Sequence, residues 1–205
     1  MQSKDHWENV YTTKAADEVS WFQEHAALSL KLIQEAGLPL TASIIDVGGG
    51  ASTLVDDLLA SGYENVTVLD LSGAALATAK ARLGARAADV QWLDANILDA
   101  ELGLNTYDLW HDRAVFHFLT SEQERCAYVR AVLRAVKPGG LVIVATFAED
   151  GPSKCSGLPV MRYDAKELHA EFGEPFVLLG HEKESHHTPG GNEQKFVYCF
   201  CRKLA

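Results

Sequence analysis

Three adjacent glycines and two acids are the residues of this 205-residue chain whose types and spacing best suit ligand binding. The apolar run Ile44-Ile45-Asp46-Val47 passes directly into Gly48-Gly49-Gly50-Ala51-Ser52-Thr53. Glycines after a strand let backbone approach a ligand closely, at the carboxyl end of a sheet where open α/β folds bind. About 20 residues later, Val68-Leu69-Asp70-Leu71-Ser72 puts an acid where it can accept from both hydroxyls of a ribose. A dinucleotide fingerprint would want glycine at position 53, which is Thr53, so NAD is disfavoured. A second run, Tyr107 to Leu119 (YDLWHDRAVFHFL), carries His111, Asp112, Arg113 and His117. Histidine titrates near neutral pH, and Arg113 can bind a carboxylate or pair with Asp112. Farther on, Cys155 lies in the stretch 150–159 and His186 and His187 in 186–191, both read as loops of the kind that carry specificity on a rigid scaffold. Cys155, His186 and His187 have no recognisable ligand spacing, so no metal is assigned.

The elements that must position these residues alternate between short β-branched runs and amphipathic stretches, the pattern of a parallel sheet. Strands are expected at 43–47, 66–70, 90–93, 107–110 and 140–146. Helices are expected at 17–36, 52–61, 72–83 and 121–136, the last stopped by Lys137-Pro138-Gly139-Gly140. A helix at 164–172 and strands at 176–183 and 194–202 follow, joined through 186–192 like a hairpin. The expected fold is α/β: a doubly wound, mostly parallel seven-stranded sheet with a C-terminal antiparallel hairpin and helices on both faces. It forms one domain over 1–205, with an opening helical segment (1–40), a cofactor-binding half (41–146) and an acceptor-side half (147–205).

With 47% hydrophobic residues the chain can bury one substantial core. Its 28 acidic and 18 basic side chains give a formal charge of -10, which repels nucleic acid at long range. No apolar run is long enough to span a bilayer and no signal-peptide core opens the sequence, so a cytoplasmic protein with no membrane partner is expected. Cys126, Cys155, Cys199 and Cys201 form no CxxC pair and are read as reduced thiols, Cys199 and Cys201 sharing one strand face.

The glycine loop after Asp46, with Asp70 in register behind it, resembles the first motifs of class I SAM-dependent methyltransferases, and a closing antiparallel hairpin is the usual ending of that fold. The resemblance runs from about Trp7 to Thr146. It implies S-adenosyl-L-methionine (SAM) as cofactor and S-adenosyl-L-homocysteine (SAH) as product. Asp46 would help hold the ammonium end and Gly48, Gly49 and Gly50 would line the methionyl half. Asp70 and Leu71 would meet the ribose. Within Val90 to Ile97, the resemblance puts Asn96 rather than Asp94 at the adenine position, beside Ala95 and Ile97, with Asp94 as the alternative. Trp7-Glu8-Asn9-Val10-Tyr11 looks like a segment folded over SAM, where Trp7 and Tyr11 cover the sulfonium through their π-faces. The stretch after the fourth strand would run beneath the sulfonium into the acceptor pocket, bringing His111 to the cofactor.

Methyl transfer from a sulfonium needs positioning more than acid catalysis, and a base only where the acceptor must lose a proton. His117, with His111, is the catalytic candidate. Arg113, His117, Cys155, His186 and His187 are expected to face one acceptor pocket. The acceptor is read as a small molecule. A protein lysine is the alternative, although the Asp-Lys-Gly of lysine methyltransferases is His111-Asp112-Arg113 here; a catalytically silent SAM-binding regulator is the second alternative.

Overall fold

The computed structural model describes residues 3–205. Five strands appear in the expected places: β1 (Ser43–Val47), β2 (Asn65–Asp70), β3 (Val90–Asp94), β4 (Tyr107–Arg113) and β5 (Val136–Phe147). A two-residue hairpin follows, β6 (Lys154–Cys155) and β7 (Leu158–Pro159), and then β8 (Phe176–His187) and β9 (Glu193–Lys203). The main sheet runs β3-β2-β1-β4-β5-β9-β8. Pairing is parallel through β5, and β9 enters antiparallel to both β5 and β8. The order reverses beside β1, so the carboxyl ends of β1 and β4 diverge into a crevice.

Side chains alternate along the strands with period two, which builds a core on each face. Ile45, Trp110, Val142, Cys199 and Cys201 point to one face, with residues of α5 (Glu122–Ala135) and α6 (Ala165–Phe172) packed over them. Ile44, Leu109, Ile143 and Tyr198 point to the other, under α2 (Ala27–Glu35), α3 (Leu54–Ala60) and α4 (Gly73–Leu83). Helix starts follow local chemistry: the Ser121 hydroxyl accepts from Glu124 N in a capping box, and Asp164 and Glu167 form another. An additional helix, α1 (Lys4–Thr13), lies ahead of α2. Among the described residues, no helix is long and apolar enough to cross a membrane.

Three local expectations are corrected. The helix expected over 17–36 is reduced to Ala27–Glu35, and 14–26 forms a turning strap. Backbone carbonyls there are taken by side chains from elsewhere: Ser20 O by His186 Nε2 at 2.8 Å, Trp21 O by Arg113 Nη1 at 3.4 Å and Gln23 O by Thr53 Oγ1 at 3.0 Å. Second, His186 and His187 are not loop residues. They end β8 opposite Gln194 and Glu193, leaving a turn in which Thr188 N donates to Asn192 O and Asn192 N to Thr188 Oγ1. Third, Lys137 to Gly140 does not precede β5 but is absorbed into it as a bulge, with Gly139 at φ 76° and the register shifting between Tyr107 and Leu109.

The turn after β4 depends on a buried carboxylate. Asp112 is fully buried and accepts from Val115 N, Phe116 N and the Tyr128 hydroxyl, which itself accepts from Trp110 Nε1 at 2.9 Å. Burial pushes the Asp112 carboxyl up to about 6. Tyr128→Phe leaves the Trp110 N–H and an Asp112 oxygen short of a partner, which should cost about 2–3 kcal/mol. The expected readout is a lower urea midpoint at unchanged slope; an unchanged midpoint would mean the hydroxyl is dispensable to the turn.

Candidate active site

A cleft lies at the carboxyl ends of β1, β2 and β4, covered by α1 and the 14–26 strap, and it has two lobes that share Tyr11, Trp21, Gly48 and Arg113. The first, about 740 Å³ including its mouth, is lined further by Trp7, Asp70, Leu71, Ala95, Ile97 and Phe118, among others. The second, about 560 Å³, reaches Ser29, Asp46, Gly49, Ser52 and His111.

The floor is backbone because side chains do not fit. Gly48 adopts φ 71°, and a Cβ there would sit 2.0 Å from Val115 Cγ2. A Cβ on Gly49 would lie 2.4 Å from Asp46 Oδ2, and one on Gly50 would lie 2.6 Å from Asp70 Oδ2. Gly50 is therefore held small by Asp70 while lying outside the residues that line the cleft. Asp46, 3% exposed, meets His111 Nδ1 at 2.7 Å, the carboxylate accepting from the imidazole N–H, and His111 Nε2 meets Ser29 Oγ at 2.9 Å. Both ring nitrogens of His111 are thus engaged. Asp70 accepts from Ser72 N at 2.8 Å through Oδ1. Burial pushes its carboxyl up to about 7, against the Ser72 hydrogen bond, and the charges of Asp46, Asp94 and Glu8 push the same way as burial.

The roof is aromatic and latched. Trp7 meets Trp21 and Phe118 edge to face at 5.7 and 5.2 Å, and Trp21 Nε1 donates to the Tyr11 hydroxyl at 3.2 Å. From the same turn of α1, the Glu8 carboxylate accepts from Gly73 N at 2.6 Å and Ala74 N at 3.2 Å, a favourable place for an anion at the start of α4. Lys4 Nζ pairs with Asp94 at 2.5 Å.

The expected site residues separate. Trp7, Tyr11, Gly48, Asp70, Leu71, Ala95, Ile97, Arg113 and Cys155 line the first lobe; Asp46, Gly49 and His111 line the second. Asn96 lines neither, because its Oδ1 accepts from Leu98 N and its Nδ2 donates to Asp99, closing a local turn. Asp94 is turned to Lys4. His117 does not face the cleft: it is fully buried, Phe147 N donates to its Nδ1 at 3.4 Å, and burial followed by the charge of Arg113 pushes it down to about 3. His186 is tied to Ser20 O, and with His187 it borders a separate surface depression beside Asp17 and Pro189. The four acceptor-side groups, His117, Cys155, His186 and His187, therefore do not meet in one pocket; Cys155 alone of them lines the cleft, its thiol pushed up to about 12 by burial. Arg113 does not pair with Asp112. It donates to Glu184 at 3.0 Å and the Tyr198 hydroxyl at 2.9 Å, 4.1 Å above the Phe196 ring. Burial pushes the Glu184 carboxyl up, but Arg113, Gln23 and Tyr198 outweigh it and hold that carboxyl below its ordinary range.

Several contributors escape sequence reading. Trp21 and Ser29 were hidden in the long expected helix, and Glu184 and Tyr198 lie 71 and 85 positions from Arg113, beyond any local pattern. Glu8 stood between Trp7 and Tyr11, where an acid in the first turns of a helix was the available signal. Among the described residues, no group of three or more His, Cys, Asp and Glu is gathered to hold a metal ion.

The donor set fits SAM: two buried carboxylates and a bare glycine floor beneath aromatic rings complement a cationic nucleoside bearing an amino-acid tail. Residues 44–140 match the family described as "Methyltransferase domain". Human EEF1A lysine methyltransferase 2 is 22% identical over 194 residues, covering 87% of this chain and 76% of that protein. The N-methyltransferase NodS of Bradyrhizobium japonicum WM9, solved with SAH, superposes with a TM-score of 0.75 at 15% identity, over 98% of this chain and 100% of that one. The 1,6-didemethyltoxoflavin-N1-methyltransferase of Burkholderia thailandensis, solved with 1,6-didemethyltoxoflavin and SAH, gives 0.68 at 19% identity, over 99% and 84%. The glycine loop and both carboxylates lie inside the segment that matches the methyltransferase-domain family, and the strand order around them is that of the class I, Rossmann-like methyltransferase fold.

Proposed function

We propose that this protein transfers the methyl group of SAM to a small-molecule acceptor bound at the aromatic end of the cleft. The observation that carries this reading is the cover: α1 and the strap place Trp7, Tyr11 and Trp21 along the cleft that Gly48 floors, and Glu8 and Lys4 latch α1 down. A covered, largely apolar cleft suits a small molecule better than a side chain on a folded protein.

In this reading Asp46, oriented by His111 and Ser29, holds the ammonium of the methionyl tail over Gly48 and Gly49. Asp70 accepts from the ribose hydroxyls, and Leu71, Ala95 and Ile97 enclose the adenine. Asn96 contributes through the turn it closes rather than by contact. Bound SAM supplies an electrophilic methyl carbon on a sulfonium. The chain's own part is to orient that carbon, exclude water with the aromatic roof and stabilise positive charge with the ring faces. His117, buried and held neutral, serves packing rather than proton abstraction.

The human lysine methyltransferase relative favours a protein lysine as the second reading. Labelled SAM offered with small thiols, amines and carboxylates on one side and lysine peptides or cell protein on the other separates the two. Label is expected in a small molecule; label only in protein lysine would replace this reading, and label in none would leave a silent SAM binder.

Asp70→Ala should weaken SAH binding by about 2–3 kcal/mol, roughly 30- to 150-fold. Unchanged calorimetric affinity in the folded variant would remove the ribose assignment. Because burial raises the Asp70 carboxyl to about 7 and the ribose hydroxyls favour its ionised form, SAH affinity should fall as pH is lowered through about 7. Asp70→Asn should flatten that dependence; a pH profile shared by both proteins would assign it to another group.

A further inference from the structure

The part of the cleft left to an acceptor, once the ends that suit ribose and amino acid are set aside, is walled by Trp7, Tyr11, Trp21, Phe118, Cys155 and Arg113. Four of these six are aromatic. Trp7 packs edge to face against Trp21 at 5.7 Å and Phe118 at 5.2 Å, so the rings form one continuous aromatic wall against which an aromatic guest can pack. The polar groups are already committed. Arg113 is bound to Glu184, Tyr198 and the Trp21 carbonyl, and the Tyr11 hydroxyl accepts from Trp21. Cys155 is a neutral thiol.

None of these described wall residues is a free base. The histidines around the cleft are engaged elsewhere: His6, edge to face with Trp7 at 5.1 Å, shares Ser156 Oγ at 3.3 Å and does not line the cleft, His111 lies between Asp46 and Ser29, His117 in the core, His186 on Ser20 and His187 at the separate depression. An alkylamine enters protonated at neutral pH and would need a proton taken from it here. An alcohol has the same need. A neutral nitrogen or oxygen nucleophile would also be desolvated without an uncommitted hydrogen-bond partner in this wall, which costs free energy, whereas a thiolate, costlier still to desolvate alone, has the cofactor's sulfonium as its counter-charge.

Resting on the methyltransferase reading, we infer that the acceptor is a small, flat aromatic thiol, ionised on its own near neutral pH and S-methylated without a protein base. The thiolate lone pair forms the new bond to the methyl carbon as the bond from that carbon to the cofactor sulfur breaks. The electron pair stays on the departing sulfur, which becomes uncharged, the acceptor becomes a methyl thioether, and no proton moves. The thiolate's charge is met by the sulfonium it approaches, so no free cation in the wall is required.

The test uses thiophenol, cyclohexanethiol and benzylamine as probes on the full chain. Calorimetry with SAH alone comes first: failure of SAH to bind would overturn the methyltransferase reading and this inference together. With SAH bound, thiophenol is expected to bind saturably and cyclohexanethiol about tenfold more weakly, because it lacks a flat ring. Phe118→Leu should weaken thiophenol about fivefold, and by more than it weakens SAH. With labelled SAM kept saturating at every pH, so that weaker cofactor binding through Asp70 does not enter the rate, label should enter thiophenol at a rate that rises with its thiolate fraction. If SAH binds but thiophenol binds no better than cyclohexanethiol, or if benzylamine is methylated faster, the acceptor class is wrong and the methyltransferase reading stands.

Discussion

A carboxylate removed from water at the end of a strand must be given partners, and the arrangement around Asp46 meets that constraint. Asp46 sits on β1, His111 on β4 and Ser29 on α2, joined in series at 2.7 and 2.9 Å. An unpaired buried charge would cost several kcal/mol, so the three elements are held in one relative placement. That placement brings Gly48 under Val115 and Gly49 against Asp46, where only a bare backbone fits. The floor of the cleft is thus a consequence of how one acid is buried. His111 is accordingly a positioning residue, and substitution there would be felt through Asp46.

The cover over that floor obeys a similar logic of satisfied polar groups. The strap 14–26 does not form the helix its composition suggests, because Arg113, His186 and Thr53 take its carbonyls. Glu8 then ties α1 to the first N–H groups of α4, directly beyond Asp70. Asp70 and the roof meet at one helix start, Asp70 accepting from the N-cap Ser72 and Glu8 from Gly73 and Ala74. Arg113 lies where both lobes meet, and its charge is spent on Glu184 and Tyr198 rather than left for a ligand.

How much of this was legible in the sequence follows the range of the interactions. The strand positions and the closing hairpin were readable because short apolar runs and turn residues are local signals. Asp46, Gly48 and Asp70 were readable because one strand-turn-helix unit fixes their spacing. Local patterns misled where distant side chains intervened. The strap looked helical until partners from β4, β8 and the residue preceding α3 were known, and His186 looked like loop until its register with Gln194 was set. His117 shows the converse: its place after β4 suggested chemistry, but the Asp112 carboxylate winds that turn so that His117 packs against Phe147, 4.8 Å between ring centres, and Phe118 faces the cleft instead. Asn96 was misread for a smaller reason, since an Asn two residues before a backbone N–H closes a turn more readily than it reaches outward.

The central claim is that one cleft, floored by Gly48 and Gly49 and roofed by Trp7, Tyr11 and Trp21, holds the methyl donor between Asp46 and Asp70. A crystal structure of the protein with SAH tests it most directly. The account predicts the ammonium against Asp46, the ribose hydroxyls on Asp70 and the sulfur facing the aromatic rings with α1 still latched by Glu8. SAH found outside this cleft, or bound within it with its ribose away from Asp70, would contradict the account.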